Sequence, residues 1–265
     1  MLVALFALAC RDSAASGDRP ASRASGDSSG TSLQPPGEIV IARPSRPYAE
    51  EAVSNGGSIT GVVTVATPLK PAPPASTGRD SAQCGPSIPD ESVVQQGNSL
   101  GGVVVWLDDV RRGKPVPLER RLELESDRCR LTPRVQAGVV TGAVNVISHD
   151  DFRQHLRFLT AGESAPRAAV LLGHDEQVIP TELPFKAPGM VVVRDVDHPW
   201  PTAYLAVFDH PYFAVTAPNG TFTIDGVPPG KHTLMAWHER TARSEQTVDV
   251  SAASAATVSV VLRAK

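Results

Sequence analysis

Two short motifs in this 265-residue chain contain the letters of catalytic signatures. The segment Gly97–Gly101 reads GNSLG and matches the G-x-S-x-G pattern of serine hydrolases, which requires a strand before the serine and a helix after it. Here a loop precedes Ser99 and the apolar run VVVWL follows it. His238-Glu239 begins like the H-E-x-x-H zinc motif, but Ala242 stands where the second histidine is needed. Since no set of nucleophile, base and orienting group can be assembled, the sequence predicts a protein that is not an enzyme.

An apolar stretch, Met1–Ala9, reads MLVALFALA and directly precedes Cys10. Apolar and small residues before a cysteine are typical of a lipoprotein signal, in which that cysteine becomes the lipid-modified N-terminus. The basic residues that usually open such a signal are missing here. We expect export to the periplasm or cell envelope and anchoring to the membrane through lipid at Cys10. A cleaved signal followed by an unrelated cysteine is the alternative.

If Cys10 carries lipid, Cys84 and Cys129 are left as a pair. An oxidising compartment would let these two cysteines form a disulfide. Closing a loop of that length would stabilise the fold by roughly 2–4 kcal/mol through chain entropy. Two unpaired, buried thiols are the other interpretation.

Several segments of the chain carry a resemblance to a known family. They are Cys129–Arg134 (CRLTPR), His149–His155 (HDDFRQH), Leu183–Trp200 (LPFKAPGMVVVRDVDHPW) and Phe208–Glu239 (FDHPYFAVTAPNGTFTIDGVPPGKHTLMAWHE). Together they resemble exported bacterial cupredoxin-like proteins, whose copper loop reads Cys-x-x-His-Pro-x-Met. The last segment also resembles the carboxypeptidase-regulatory-like β-sandwich, whose fold class includes carbohydrate-binding members. The resemblance covers roughly residues 58–265.

The resemblance implies a copper site that has lost its thiolate. It places the two imidazole ligands at His155 and His198, but Asp195 stands where the cysteine is expected and Pro201 where the methionine is expected. A blue-copper centre needs two imidazoles, a thiolate and a weak axial ligand, so that chemistry is excluded here. Two hypotheses remain. Either His155, His198 and Asp195 bind Cu(II) or Zn(II), or the two histidines serve only packing and loop shape and no cofactor is bound.

Composition indicates which elements must position these residues. The chain has 21 glycines, 24 prolines and only 5% aromatic residues, which favours short strands and many turns. Residues 11–57 are rich in Ser, Ala, Gly, Pro and Asp, and such a stretch cannot bury enough apolar surface to offset its ordering entropy. It is interpreted as a flexible tether. The net charge of −3 gives no reason to expect a nucleic-acid partner.

Short β-rich runs, separated by turn residues, predict strands through the rest of the chain. These strands are Ser58–Val65, Gly102–Leu107, Arg121–Glu125, Gly138–Ile147, Arg157–Leu159, Ala168–Leu172, Gly189–Arg194, Tyr204–Phe208, Phe213–Thr216, Thr221–Ile224, His232–Trp237, Gln246–Val250 and Thr257–Leu262. The continuous apolar run Gly102–Leu107 is expected to be buried on both faces. A single helical turn is predicted at Asp150–Gln154. Asn219-Gly220 predicts a tight hairpin between the strands on either side of it, with Phe222 and Ile224 facing the core.

These elements predict an all-β protein: a cupredoxin-like Greek-key β-sandwich plus a smaller regulatory-like, prealbumin-like β-sandwich. Two partitions fit the sequence. In one, residues 58–202 form the cupredoxin-like part and 203–265 the regulatory-like part. In the other, 58–125 and 203–265 form one sandwich, with 126–202 inserted into it.

The sequence and the family resemblance together suggest three alternative functions. The first is a non-catalytic exported lipoprotein in a binding or envelope-structural role, with an envelope protein or a glycan as partner. The second is a Cu/Zn-binding or residual electron-transfer protein. The third is a carbohydrate-binding module with a stacking platform made by Trp106, Trp200, Trp237 and Tyr204. Ordinary core packing of these aromatic residues is the alternative to a platform. The oligomeric state is not indicated by the sequence.

Overall fold

The computed structural model describes residues 47–118, 120–160, 166, 168–178, 186–198 and 200–265. All of the described residues belong to one compact unit. The predicted signal, Cys10 and the tether up to residue 46 therefore lie outside the described residues. Within these ranges, no helix is long and apolar enough to cross a membrane.

Strands dominate the described part of the chain, which confirms the predicted all-β class. Its helical structure is a 3₁₀ turn at Gly78–Asp80 and a four-residue helix, α1 (Ser81–Cys84). In chain order, the strands are β1 (Ala49–Glu50), β2 (Gly57–Val65), β3 (Ala75–Ser76), β4 (Ser87–Ile88), β5 (Gln95–Gln96), β6 (Ser99–Leu100), β7 (Val104–Leu107), β8 (Arg112–Gly113), β9 (Arg121–Asp127), β10 (Arg130–Thr132), β11 (Val135–Val139), β12 (Ala143–Ser148), β13 (Gln154–Thr160), β14 (Ala168–Leu172), β15 (Gln177–Val178), β16 (Gly189–Asp195), β17 (Thr202–Phe208), β18 (Phe213–Val215), β19 (Thr221–Val227), β20 (Gly230–Trp237), β21 (Ser244–Val250) and β22 (Ala255–Leu262).

Strands from both ends of the described chain form the first sandwich. One of its sheets has the order β19-β2-β6-β5, with β22 paired in parallel to β2, and the other has the order β18-β7-β20-β21. Alternate residues of β19 point into the core between these sheets, so Phe222 and Ile224 are buried there as predicted. They pack with aliphatic residues of β2 and β22, among them Val63 and Val260.

The strands between β8 and β18 form the second sandwich. Its sheets have the orders β10-β9-β12-β15 and β11-β17-β16-β13-β14. Both sheets are mixed, because β12 runs parallel to β9 and β11 runs parallel to β17. Inward-facing residues such as Leu124 and Val146 from one sheet meet Phe158, Val193 and Leu205 from the other. This core orients the strand ends that carry the predicted site residues.

Strand β7 contributes to two apolar clusters. Val105 and Leu107 pack in the core of the first sandwich. Val104 and Trp106, on the opposite face, pack in a cluster with residues of the second sandwich such as Met190. The predicted burial of this run on both faces is therefore confirmed, and the shared cluster joins the two sandwiches through apolar contact.

Two local predictions in the second sandwich are wrong. Gly138–Ile147 is not one strand but two, β11 and β12, which belong to opposite sheets. A turn at residues 140–142 separates them, with Thr141 at a φ of 66°. Asp150–Gln154 is not helical, because Gln154 already begins β13. The buried Asp150 carboxylate accepts hydrogen bonds from the Cys129 amide at 3.0 Å and the Ser126 hydroxyl at 2.7 Å instead.

The prediction of a hairpin at Asn219-Gly220 is also wrong. The turn forms, with the Thr221 amide donating to the Asn219 side-chain oxygen at 3.2 Å, but the strands on either side pair in different sheets. β18 pairs with β7 and β19 pairs with β2. At this turn only Gly220 has positive φ, 79°, whereas a type I′ hairpin needs positive φ at both central residues. At this turn the chain therefore passes from one sheet of the first sandwich to the other.

Candidate functional site

The carboxylate of Asp195, at the end of β16, is fully buried, and both of its oxygens form hydrogen bonds within the protein. Its Oδ1 accepts hydrogen bonds from the amides of His155 at 3.3 Å and Asp197 at 3.0 Å. Its Oδ2 lies 2.7 Å from Nδ1 of His198, three residues further along the chain. The side chain has no solvent-exposed surface. Asp195 therefore fixes both the backbone of the loop after β16 and the orientation of the His198 ring.

His198 is held between two carboxylates and two aromatic rings. Its Nε2 lies 3.9 Å from Oδ2 of Asp80, which belongs to the 3₁₀ turn. The rings of Phe152 and Trp200 lie 4.9 and 5.5 Å from the imidazole, centre to centre. Only 10% of the His198 side chain is exposed. These contacts make His198 part of a packed polar and aromatic cluster.

The third residue of the predicted metal set, His155, does not join this pair. In the β13–β16 register, the residue opposite Asp195 is Leu156. Because side chains alternate along a strand, Leu156 and Asp195 share the inner face of the sheet, and the His155 ring lies on the other face. Among the described residues, no three His, Cys, Asp or Glu side chains are grouped to hold a metal ion. These residues do not fit a cupredoxin copper ion.

A disulfide between Cys84 and Cys129 lies beside this cluster, with a Cα–Cα distance of 5.4 Å. It ties α1 to the turn between β9 and β10. Both cysteines are buried and pack with Ile88, Phe152 and Trp200. The disulfide therefore attaches the loop that carries Asp80 to the second sandwich.

A cleft of about 180 Å³, which we call the Trp200 cleft, opens next to the disulfide. Its lining includes the apolar residues Ile88, Cys129 and Leu131 and the charged residues Asp90, Glu91, Arg130 and Arg134. Trp200 lies in its wall, and the indole Nε1 has no hydrogen-bond partner within the described structure. The Nε of Arg130 likewise has none there, although the same guanidinium bonds Glu91 at 3.0 Å. Buried donors are normally paired, so these two N–H groups are exceptions within the described structure.

The other three aromatic residues of the proposed stacking platform lie elsewhere. Trp106, Trp237 and Tyr204 are at most 5% exposed and belong to the cluster between the two sandwiches. The Trp237 and Tyr204 rings meet edge to face at 5.3 Å. Core packing, the alternative to a stacking platform, therefore holds for these three residues, and Trp200 is the one of the four that lines the Trp200 cleft.

A partly buried ion pair lies beside the Trp200 cleft, which Arg134 lines, and in the lining of a second cleft of about 200 Å³. Arg134, which precedes β11, binds Glu239, which follows β20, through two hydrogen bonds of 2.7 and 2.9 Å. Tyr204 donates to the same carboxylate at 3.1 Å. Burial and the neighbouring Glu239 charge raise the pKa of Tyr204 to about 12, so the phenol stays protonated. This network links the first sandwich to the second.

A second charged pair anchors the loop at residues 89–92. Arg240 donates to Asp90 at 2.9 Å and to the Ser92 hydroxyl at 2.7 Å. Burial by itself would raise the pKa of Asp90, but hydrogen bonds from Ser92, the Ala72 amide and Arg240 lower it to about 2. Beside this pair, burial lowers the pKa of His238 to about 4. The histidine is therefore neutral, and its Nδ1 accepts the Arg240 amide at 3.2 Å.

Sequence reasoning missed both charged pairs. Arg134 and Glu239 are 105 positions apart, and Asp90 and Arg240 are 150 apart. In the sequence, Glu239 stands out only as part of an incomplete zinc motif. Charged residues at such separations give no local pattern, so only the topology of the strands brings them together.

Residues 189–263 match the carboxypeptidase regulatory-like domain. This match confirms the predicted regulatory-like resemblance. The matched regulatory-like segment begins with β16 and extends to the residue after β22. No curated protein matches the chain.

Solved copper proteins are among the structures similar to this chain. A reduced Cu(I) form of an amicyanin mutant has 16% identity and a TM-score of 0.28, with 33% of this chain and 81% of that chain covered. The purple cupredoxin from Nitrosopumilus maritimus has 11% identity and a TM-score of 0.28, with coverage of 32% and 98%. The copper-containing nitrite reductase NirK from Thermus scotoductus SA-01 has 18% identity and a TM-score of 0.29, with coverage of 56% and 28%.

Proposed function

We propose that this protein is an exported, lipid-anchored, non-catalytic β-sandwich protein that binds a component of the cell envelope. In this proposal, the loop that resembles a copper loop serves structure and carries no electrons. The observation that carries the proposal is the environment of Asp195, the residue at the position of the thiolate. Both of its oxygens already accept hydrogen bonds from the protein.

The chemistry of Asp195 argues against a redox role. A blue-copper centre depends on a soft thiolate, and a carboxylate is a hard ligand that does not replace it. To bind a metal, Asp195 would also have to give up its 2.7 Å contact with His198 or its two backbone contacts, all in a site without solvent access. The histidine at position 198, where the cupredoxin-like pattern has a copper ligand, is then explained by its packing against Phe152 and Trp200.

Export is supported by the cysteine pairing. Disulfides persist in oxidising compartments such as the periplasm and are rare in the cytosol. With Cys84 paired to Cys129, Cys10 is left unpaired and directly follows the apolar leader. This arrangement favours lipid modification of Cys10 over a role in folding.

Anchoring is tested by replacing the proposed lipid-bearing residue in the full chain. We expect the wild type to incorporate labelled palmitate and to sediment with membranes. We expect Cys10→Ser to lose both properties, because no other thiol is free. Ser13→Ala, three residues further along the chain, is the matched control and should behave like the wild type. Equal labelling and sedimentation of Cys10→Ser would refute lipid anchoring.

A saccharide is the ligand class that the Trp200 cleft favours. An indole in a cleft wall offers a flat apolar face for a sugar ring. The lining pairs two acids, Asp90 and Glu91, with two bases, Arg130 and Arg134, so its charge is balanced. Sugar hydroxyls both donate and accept hydrogen bonds, which suits such a mixed lining.

Binding is tested with an array of bacterial envelope glycans, including peptidoglycan fragments. We expect Trp200→Ala to abolish binding and Trp200→Phe to weaken it, because phenylalanine keeps a stacking ring but a smaller one. Val261→Ala is the control, since Val261 is exposed on β22 and does not line the cleft. Glycan binding that is unchanged in Trp200→Ala would show that this cleft is not the saccharide site.

A further inference from the structure

The outer face of the five-stranded sheet in the second sandwich is covered by the first sandwich over part of its width. Over β16 and β17, this face packs against the first sandwich through residues such as Val192 and Tyr204. It continues onto β13 and β14, because Leu159 lies opposite Val192 and shares its face. The outward side chains there form what we call the β13–β14 face: His155, Arg157, Leu159, Ala169 and Leu171. Arg157, Ala169 and Leu171 are exposed, so the interface between the sandwiches continues into an open face.

Two arginines stand opposite each other where this open face begins. Arg157 of β13 is the register partner of Arg194 of β16. Opposite residues have Cβ atoms about 4.5–5.5 Å apart, and like charges at such positions destabilise a sheet. The ion pairs among the described residues involve other arginines, and the buried Nε of Arg194 has no hydrogen-bond partner there. Two positive charges without an acidic neighbour favour a partner of negative charge.

β14 is an edge strand of this sheet and carries no charge. Its sequence is AAVLL, and among the described strands it pairs with β13 alone. Its outward residue Leu171 is 51% exposed. Natural proteins commonly place charged residues or proline on an edge strand to prevent pairing with another chain, and β14 has neither. The edge therefore offers backbone N–H and C=O groups of the kind that an added strand uses.

Sheet geometry relates this edge to the arginines. Neighbouring strands lie about 4.8 Å apart, so a strand added beyond β14 would lie about 10 Å from β13. Ala169 is directly opposite Arg157 and places only a methyl group between Arg157 and such a strand. A glutamate on the added strand can therefore reach toward Arg157 across Ala169. Two positions along the same face, an apolar side chain would lie beside Leu171.

We propose that the β14 edge and the β13–β14 face bind an acidic, extended segment of a partner protein as an additional strand. The main chain of that segment pairs with β14, its acidic side chain pairs with Arg157, and an apolar side chain covers Leu171. Backbone pairing at an edge favours a polypeptide over a lipid headgroup or a free anion, and the arginines select its charge. The surface is separate from the residues that line the Trp200 cleft and does not rest on the proposed function.

A synthetic peptide and the full chain test this surface by fluorescence anisotropy at low salt. The probe is labelled Ser-Val-Glu-Val-Leu-Thr-Ser, in which Glu and Leu share a face when the peptide is extended. One matched peptide has lysine in place of the glutamate, and another has proline in place of the valine after it. We expect the glutamate peptide to bind about tenfold more tightly than either, a difference of about 1.4 kcal/mol.

Charge reversal in the protein should invert this preference. The double variant Arg157→Glu, Arg194→Glu should bind the glutamate peptide about tenfold more weakly and should prefer the lysine peptide. Arg121→Glu is the matched control, because Arg121 is an exposed arginine on a strand of the opposite sheet and its replacement should change neither affinity. Circular dichroism verifies that each variant keeps the fold.

Hydrogen exchange locates the bound peptide. Its binding should slow exchange of the amides in β14, whereas β21, an edge strand of the first sandwich, should be unaffected. The proposal is overturned if the wild type does not prefer the glutamate peptide, if the double variant binds that peptide as tightly as the wild type, or if no amide of β14 gains protection.

Discussion

Replacing both Cys84 and Cys129 by serine is expected to lower the free energy of unfolding by about 4 kcal/mol, the chain-entropy value for a loop of this length. The two cysteines are 45 positions apart. Strands β4 to β9 lie between them; of these, β7 pairs with β18 and β20, and β9 pairs with β10 and β12. The crosslink therefore stabilises the fold mainly by removing a large number of unfolded conformations.

Urea denaturation of the double serine variant and the wild type measures this effect. Cys10→Ser is the control and should leave the midpoint unchanged, since it removes a cysteine but keeps the Cys84–Cys129 crosslink. We also expect the wild type under reducing conditions to unfold at the urea concentration of the double variant. A loss of less than about 1 kcal/mol would mean that packing of Ile88, Phe152 and Trp200 holds this segment without the crosslink.

The strands were largely predictable because their signal is local. Alternating and β-branched runs identify β2, β19 and β22 without knowledge of their partners. Sheet membership depends on contacts between distant segments. Asn219-Gly220 correctly marks a turn, but whether the strands on either side pair with each other or with β7 and β2 is decided by partners more than 100 residues away.

The predicted metal site could likewise be placed only in part, because one of its residues comes from a distant strand. Asp195 and His198 are three residues apart in one loop, so their spacing keeps them together. His155 comes from another strand, and a register that places Leu156 opposite Asp195 turns its ring to the other face. A difference of one residue in register reverses the face of a side chain, and a single sequence does not fix register.

The largest expected effect of charge removal is at Arg134 and Glu239. Replacing either residue alone, as Arg134→Met or Glu239→Gln, should cost about 3 kcal/mol, because it leaves a poorly solvated charge without its partner. Only 23% of the Arg134 side chain and 11% of the Glu239 side chain are exposed. In Glu239→Gln, Arg134 keeps the Thr202 carbonyl, 3.1 Å away, but a neutral amide replaces the carboxylate that accepts hydrogen bonds from both Arg134 and Tyr204.

A double-mutant cycle separates the pair from its surroundings. Urea unfolding of both single variants and of the double variant should show that the double variant loses less than the sum of the two, with a coupling energy of about 2 kcal/mol. The Arg130–Glu91 pair is a matched control, because its side chains are 38% and 37% exposed. Its coupling energy should stay below about 1 kcal/mol. Additive losses at Arg134 and Glu239 would mean that apolar contact around Val104 and Met190, and not this ion pair, joins the two sandwiches.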